Sequence, residues 1–291
     1  MRHEEVKAFL PTYNLNLAMK HWWTSPSDEP VLALHGWLDN AASFDVLANK
    51  LKDRQVYALD FAGHGFSDHF PPGFYYSQTS LVEHLVELLD VLKWDSVHLL
   101  GHSMGACVAT LFAGLLPERV KSLVLIEGLG PFSADDEKMP ERFREYLPTF
   151  KKRSQTTPRV HPSFEEAARV RAQDSEFSKL TIEAARLLAS RGTKKVNGGF
   201  SWNSDPRLLI QTPHPFTEKQ VRAFLRNIIC PTIVIWAEEG LAIDPVMWDE
   251  RLLQIPNHKA VHVHGSHHCH MENAELVALP INKFYSNLGN A

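Results

Sequence analysis

Ser103 stands in Gly101-His102-Ser103-Met104-Gly105, just after the apolar run Val97-His98-Leu99-Leu100 and just before a helical pattern from Met104 to Leu116. A serine on a tight strand-to-helix turn has its hydroxyl lifted clear of a sheet, where it can act as a nucleophile. Side chains two places before and after it would strike neighbouring backbone, so glycine suits both positions. At this content of glycine and serine, about 0.05 chance matches to Gly-x-Ser-x-Gly are expected, before any demand on the flanking elements. The motif is therefore read as functional, with Ser103 as the nucleophile.

A serine hydroxyl attacks poorly until a base removes its proton, and the base needs an acid to orient it. The base is expected after the last strand, where His262, His264, His267, His268 and His270 crowd together. His262 and His264 share one face of a partly exposed strand. His267 and His268 are the candidates, since a base must come within hydrogen-bond distance of Ser103. Zinc binding by this cluster is the lesser reading, because one dense loop offers no spatially distinct carboxylate. No metal or cofactor is expected. Three carboxylates could complete the set: Glu127 at the end of the strand after the elbow strand, and Glu239 or Asp244 in a later loop. Carboxyl ends of parallel strands are where catalytic groups collect, which favours Glu127.

These residues need a scaffold. Pro11 to Trp23 alternates polar and apolar, as in an edge hairpin or paired strands, and a turn spans 25–30. Buried strands are expected at Val31–Leu34, Val56–Phe61, Val97–Leu100, Ser122–Ile126, Thr232–Trp236 and Ala260–His264. Helices are expected at Ala41–Leu51, Ser80–Leu92, Met104–Leu116, Glu218–Asn227, Pro245–Leu253 and Ala274–Tyr285. Strand-then-helix repetition predicts an α/β fold, a mostly parallel central sheet with helices on both faces. The rhythm stops between Phe132 and about Pro215. Charged helical stretches at Phe164–Gln173 and 179–190, and turns around Asn197-Gly198-Gly199, predict a mostly helical inserted lid. The expected division is a core of residues 1–131 and 216–291 carrying a lid of residues 132–215.

The order of motifs resembles the α/β-hydrolase fold superfamily: a strand ending His35-Gly36, Asp60-Phe61-Ala62-Gly63-His64-Gly65-Phe66-Ser67, the Ser103 elbow, an insert, and Gly265-Ser266-His267. His35-Gly36-Trp37-Leu38-Asp39-Asn40, Glu127-Gly128-Leu129-Gly130-Pro131 and Asp205-Pro206-Arg207 make it most similar to the serine hydrolase-like proteins. The resemblance implies His267 as base, by its Gly-x-His, with His268 the alternative. The usual acid of the superfamily follows the strand Ile233-Val234-Ile235-Trp236, but Gly240 stands where that aspartate is expected. Some members take the acid from the strand after the elbow strand, which here implies Glu127. The fold also implies an oxyanion hole made by the backbone N–H groups of Trp37 and Met104. Trp37, His102 and Phe132 are expected around the substrate pocket, and His64 is assigned to turn architecture.

The implied activity is hydrolysis through an acyl-enzyme, first of all of carboxylic esters of a small hydrophobic substrate. Amides, thioesters or carbon–carbon bonds beside a ketone could use the same parts. Aspartate-nucleophile chemistry, as in haloalkane dehalogenases and epoxide hydrolases, is disfavoured by the serine. The rival is a vestigial, ligand-binding member of the fold. At 291 residues, with 44% hydrophobic residues and a net charge of −4, the chain suits one large α/β domain with an insertion and shows no sign of nucleic-acid or anionic-membrane partners. No apolar run is long enough to span a bilayer, and the start lacks the apolar core of a signal peptide, so the cytoplasm is expected. Three scattered cysteines make no disulfide framework. Nothing in the sequence indicates an oligomeric state.

Overall fold

A computed structural model describes residues 2–25, 29–173 and 180–288. Its strands are β1 (Arg2–Leu10), β2 (Leu15–Trp23), β3 (Glu29–Leu34), β4 (Arg54–Leu59), β5 (Val97–His102), β6 (Val120–Ile126), β7 (Val160–His161), β8 (Thr193–Val196), β9 (Gly199–Trp202), β10 (Thr232–Glu239) and β11 (His258–Ser266). Its helices are α1 (Asp45–Ala48), α2 (Gln78–Leu92), α3 (Met104–Leu115), α4 (Met139–Ser154), α5 (Phe164–Ala172), α6 (Ile182–Gly192), α7 (Glu218–Arg226), α8 (Pro245–Leu252), α9 (Cys269–Glu272) and α10 (Ala274–Leu288). Parts of the expected turn over 25–30 and of the expected helix over 179–190 lie outside the described residues.

The main sheet has eight strands in the order β1-β2-β4-β3-β5-β6-β10-β11. The pairs β1/β2 and β2/β4 are antiparallel, and every later pair is parallel. The pleat sends alternate side chains to opposite faces. Leu32, Leu34, Leu99, Leu123 and Leu125 pack with Leu85, Val108, Phe112 and Val221 of α2, α3 and α7. Val31, Ala33, Leu100, Val124 and Ile126 pack on the other face with Leu47, Val277 and Ile281 of α1 and α10. Covered on both faces, these strands are mainly apolar, and β5 is buried along its whole length.

Some elements differ from expectation for local reasons. β1 is a full strand, but only Ala8 and Leu10 in it are buried, so its charged edge sequence carries little strand signal. Ala41–Phe44 forms a 3₁₀ turn capped by the Asn40 side chain, and α1 adds a single turn, so no continuous helix runs to Leu51. The segment between β6 and α7 is mainly helical and also carries a small antiparallel sheet, β7-β9-β8. Its β8–β9 hairpin turns at Asn197-Gly198.

Polar ties bind this segment to the main sheet. Arg191 of α6 donates to Asp60, at the end of β4, and to Glu5 of β1. Asn40 donates to Leu188 O and the Trp37 indole to Leu208 O. Arg207 pairs with Asp205 and donates to the carbonyls of Phe70, Pro71 and Phe74. Below the loop after β6, the fully buried Arg251 of α8 donates to Leu129 O at 2.9 Å and to Glu218 of α7 at 2.7 Å. Burial by itself would raise the Glu218 carboxyl, but hydrogen bonds from Arg251, Ser133 and Arg222 outweigh it and pull the group from 4.5 to about 2.

A carboxyl lowered by folding stabilises the native state above its unfolded pKa, and that contribution is lost as pH falls toward the folded one. Glu218→Gln is expected to cost about 1–3 kcal/mol at neutral pH, after allowing for partial solvent screening. In urea titrations the gap between parent and variant should narrow as pH drops below 4.5. A gap independent of pH would show that the lost stability is packing rather than charge.

Candidate active site

The elbow at Ser103 follows from the close approach of α3 to the sheet. A Cβ at Gly105 would lie 2.0 Å from Leu34 O, and one at Gly101 would lie 2.5 Å from Gly105 O. Only glycine lets the helix begin this near β3 and β5. Ser103 takes φ +52°, a left-handed conformation uncommon for any residue but glycine. Its N–H donates to Ile126 O at 2.9 Å, so pairing with β6 holds the strained residue in place. Glu127, the first residue after β6, is also left-handed at φ +54°, and its N–H donates to Ile235 O. That local twist at the strand end turns the Glu127 side chain from the strand path toward the loop after β10.

His267, just after β11, joins these two residues. Its Nε2 lies 3.0 Å from Ser103 Oγ and its Nδ1 lies 2.9 Å from Glu127 Oε2. Glu127 is 2% exposed and also accepts from Ala237 N at 2.7 Å and Leu241 N at 2.9 Å. A carboxylate can only accept, so the imidazole proton sits on Nδ1. Nε2 therefore faces the serine with a lone pair, ready to receive its proton.

Gly240 shows why the carboxylate fits here. A Cβ at Gly240 would lie 2.3 Å from Glu127 Oε2 and 2.4 Å from Oε1. The Glu127 carboxylate thus fills the space that a side chain at 240 would need. The absence of an aspartate at 240 and the presence of Glu127 are one arrangement.

The other sequence candidates lie apart from this chain of hydrogen bonds. Glu239 is exposed at the end of β10, and Asp244 is exposed and caps α8 through Val246 N. His268 is buried and turned toward Asp39, with its Nε2 3.3 Å from Asp39 Oδ2. The expectation that His102 lines the substrate pocket does not hold. His102 is 0% exposed and points behind the elbow, where its Nε2–H donates to the His267 carbonyl at 2.8 Å. Trp37 and Phe132 are 43% and 60% exposed, at the loops following β3 and β6. Met104 is the first residue of α3, where a backbone N–H has no acceptor within the helix. His64 is buried and accepts from Leu38 N, a turn-holding contact.

Sequence reasoning missed the surroundings of His102. Asp39 Oδ2 lies 3.8 Å from His102 Nδ1, and the His270 ring centre lies 3.9 Å from that of His102 with the planes tilted by 36°. Burial pushes His102 and His270 well below the usual imidazole range. Burial also opposes the Asp39 charge, but neighbouring His268 and Arg171 outweigh it and hold that carboxyl well below its usual value. The only sequence signal was the density of histidines, because Asp39 comes from a segment remote in the chain.

Residues 29–274 match the family model described as the alpha/beta hydrolase fold. A serine hydrolase-like protein of Mus musculus is 30% identical, with 98% of this chain and 96% of that protein covered. Serine hydrolase-like protein 2 of Homo sapiens is 32% identical over 90% of this chain and 88% of its own length. Among solved structures, a hypothetical protein of Pseudomonas aeruginosa is 38% identical with a TM-score of 0.91, covering 97% of this chain and 99% of its own. The thioesterase domain from the curacin biosynthetic pathway is 25% identical with a TM-score of 0.82 and covers 97% and 99% of the two chains. Among the described residues, no helix is long and apolar enough to cross a membrane.

The shared space at Gly240 and Glu127 makes a double-mutant cycle informative. Gly240→Ala is expected to destabilise the protein by about 1–3 kcal/mol by forcing the carboxylate from its two N–H donors. In a Glu127→Gly background the same substitution should cost much less, since the space is then empty. Additive losses of melting temperature would rule out the steric coupling.

Proposed function

The chain belongs to the α/β-hydrolase fold family, in its serine hydrolase-like branch, and on that premise we propose that it is an esterase working through an acyl-enzyme on small hydrophobic esters. The observation that carries this reading is the continuous hydrogen-bonded chain from Ser103 Oγ through His267 to Glu127. Ser103 Oγ attacks the carbonyl carbon while His267 Nε2 takes its proton. Glu127 keeps the imidazole in the required tautomer and steadies the imidazolium that forms. The backbone N–H groups of Met104 and Trp37 are assigned to the oxyanion, each such donor being worth about 10²–10³ in rate. His267 then returns the proton to the departing alcohol. The same base activates the water that releases the acid and restores Ser103.

The hydrophobic substrate is argued from the side chains at the strand ends. Trp37 and Phe132 present apolar surface on either side of the β5 elbow, and a polar substrate would gain nothing from covering them. We assign residues 132–215 the part of a lid over that surface, supported by the ties from Trp37 to Leu208 O and from Asn40 to Leu188 O. A second reading, thioester hydrolysis, draws on the likeness to the curacin thioesterase domain and uses the same residues.

A fluorophosphonate probe should label Ser103 at neutral pH, and Ser103→Ala should abolish labelling. On p-nitrophenyl esters, Glu127→Gln is expected to lower kcat by about 10²–10⁴, whereas Asp244→Asn and Glu239→Gln should change it less than about threefold. A folded protein that takes up no probe would end the hydrolase mechanism for this chain. Faster turnover of acyl thioesters than of matched esters would select the second reading.

A further inference from the structure

Behind the Ser103 elbow, the ends of three strands and their loops bring together three buried polar side chains. Asp39 follows β3, His102 ends β5 and His268 follows β11, and each is at most 3% exposed. Each can turn one ligand atom inward so that the three atoms lie within 4.8 Å of one another. His102 Nδ1 has no hydrogen-bond partner, while Asp39 Oδ2 lies 3.3 Å from His268 Nε2. Because His102 Nε2–H is spent on the His267 carbonyl, Nδ1 carries a lone pair. Two lone-pair atoms, a carboxylate oxygen and an imidazole nitrogen, therefore face each other across 3.8 Å with nothing positive between them. Left that way, His102 Nδ1 pays the cost of burial without a partner. A Cβ at Gly36 would fall 2.8 Å from Asp39 Oδ2 and 3.0 Å from His102 Nδ1.

We propose that Asp39, His102 and His268 form a binding site for a dication of the zinc class, separate from the Ser103–His267–Glu127 chain. Two imidazoles and one carboxylate are a common zinc set, at about 2.0–2.2 Å from the ion. A tetrahedral arrangement puts ligand atoms about 3.3–3.6 Å apart. The Asp39–His268 separation of 3.3 Å already matches, and the other two separations, 3.8 Å for Asp39–His102 and within 4.8 Å for the two imidazoles, close by side-chain movement. Calcium and magnesium are disfavoured, since they require six or more oxygen ligands or several retained waters. Asp39 Oδ1 accepts from Arg171 at 2.6 Å, which fixes the carboxylate and leaves Oδ2 aimed at the imidazoles. The sequence alone offers the histidine cluster no carboxylate outside its own loop; the fold supplies Asp39. A bound ion would clamp the loops after β3, β5 and β11, so it should raise stability by mass action whether or not the protein is a hydrolase.

The test is equilibrium dialysis of the whole chain against micromolar Zn²⁺, with metal measured by mass spectrometry and melting followed in parallel. About one zinc per chain should be retained, with a higher melting temperature, and Co²⁺ in its place should give the visible bands of tetrahedral ligation. His268→Gln and Asp39→Asn are each expected to weaken binding by about 100-fold or more and to abolish the melting shift. The exposed pair His262→Gln and His264→Gln should change neither. Should Asp39→Asn fail to fold by circular dichroism, His268→Gln carries the same expectation. Folded parent protein that retains no zinc overturns the proposal. Zinc retained equally by the folded His268→Gln variant, or lost only from the His262/His264 variant, also overturns it.

Discussion

The Glu127 carboxylate is the meeting point of segments that are distant in sequence. It accepts from Ala237 N near the end of β10, from Leu241 N after that strand and from His267 after β11, while its own backbone is pinned by Ile235 O. A buried carboxylate is tolerable only when its lone pairs are satisfied, so these donors are a condition of its being there. They also settle where the loops after β10 and β11 run. If that carboxylate is displaced, the imidazole loses its orientation and two backbone donors lose their acceptor together.

That interaction depends in turn on the sheet. Parallel pairing of β5, β6, β10 and β11 brings their carboxyl ends to one edge, and loops leaving that edge carry the polar groups. Two neighbouring strand ends are then bent by left-handed residues, Ser103 and Glu127, each locked by a bond to the next strand's carbonyl. The strain stays local because the strands beneath are apolar on both faces and tightly packed.

Much of this was legible in the sequence, and the exceptions share a cause. The elbow is local in sequence: a strand, a turn with two close glycines, and a helix all leave marks within twenty or so residues. The buried strands are visible because two-sided burial makes them mainly apolar. β1 and α4 leave faint marks, one an edge strand with two buried residues and the other a helix with none. Choosing among Glu127, Glu239 and Asp244 turns on distance, which spacing along the chain does not encode. Gly240 reads in the sequence as a missing aspartate, and only the three-dimensional arrangement shows that space filled by Glu127 from the end of β6. The direction of the His102 side chain is hidden for the same reason. Its neighbour Ser103 faces the solvent side, and one residue back along β5 the side chain turns to the opposite side.

The insert is unevenly fastened, and this bears on how the family can diversify. α6 is joined to the sheet by the Arg191–Asp60 ion pair, with both side chains buried. Removing one partner of such a pair would strand the other, at a cost of about 3–5 kcal/mol. α4 has no buried residue at all. Drift in α6 is therefore checked by the stability of the whole domain, while α4 is free to change its surface chemistry with little effect on folding. Surface change along that one helix leaves the hydrogen-bonded groups Ser103, His267 and Glu127 untouched.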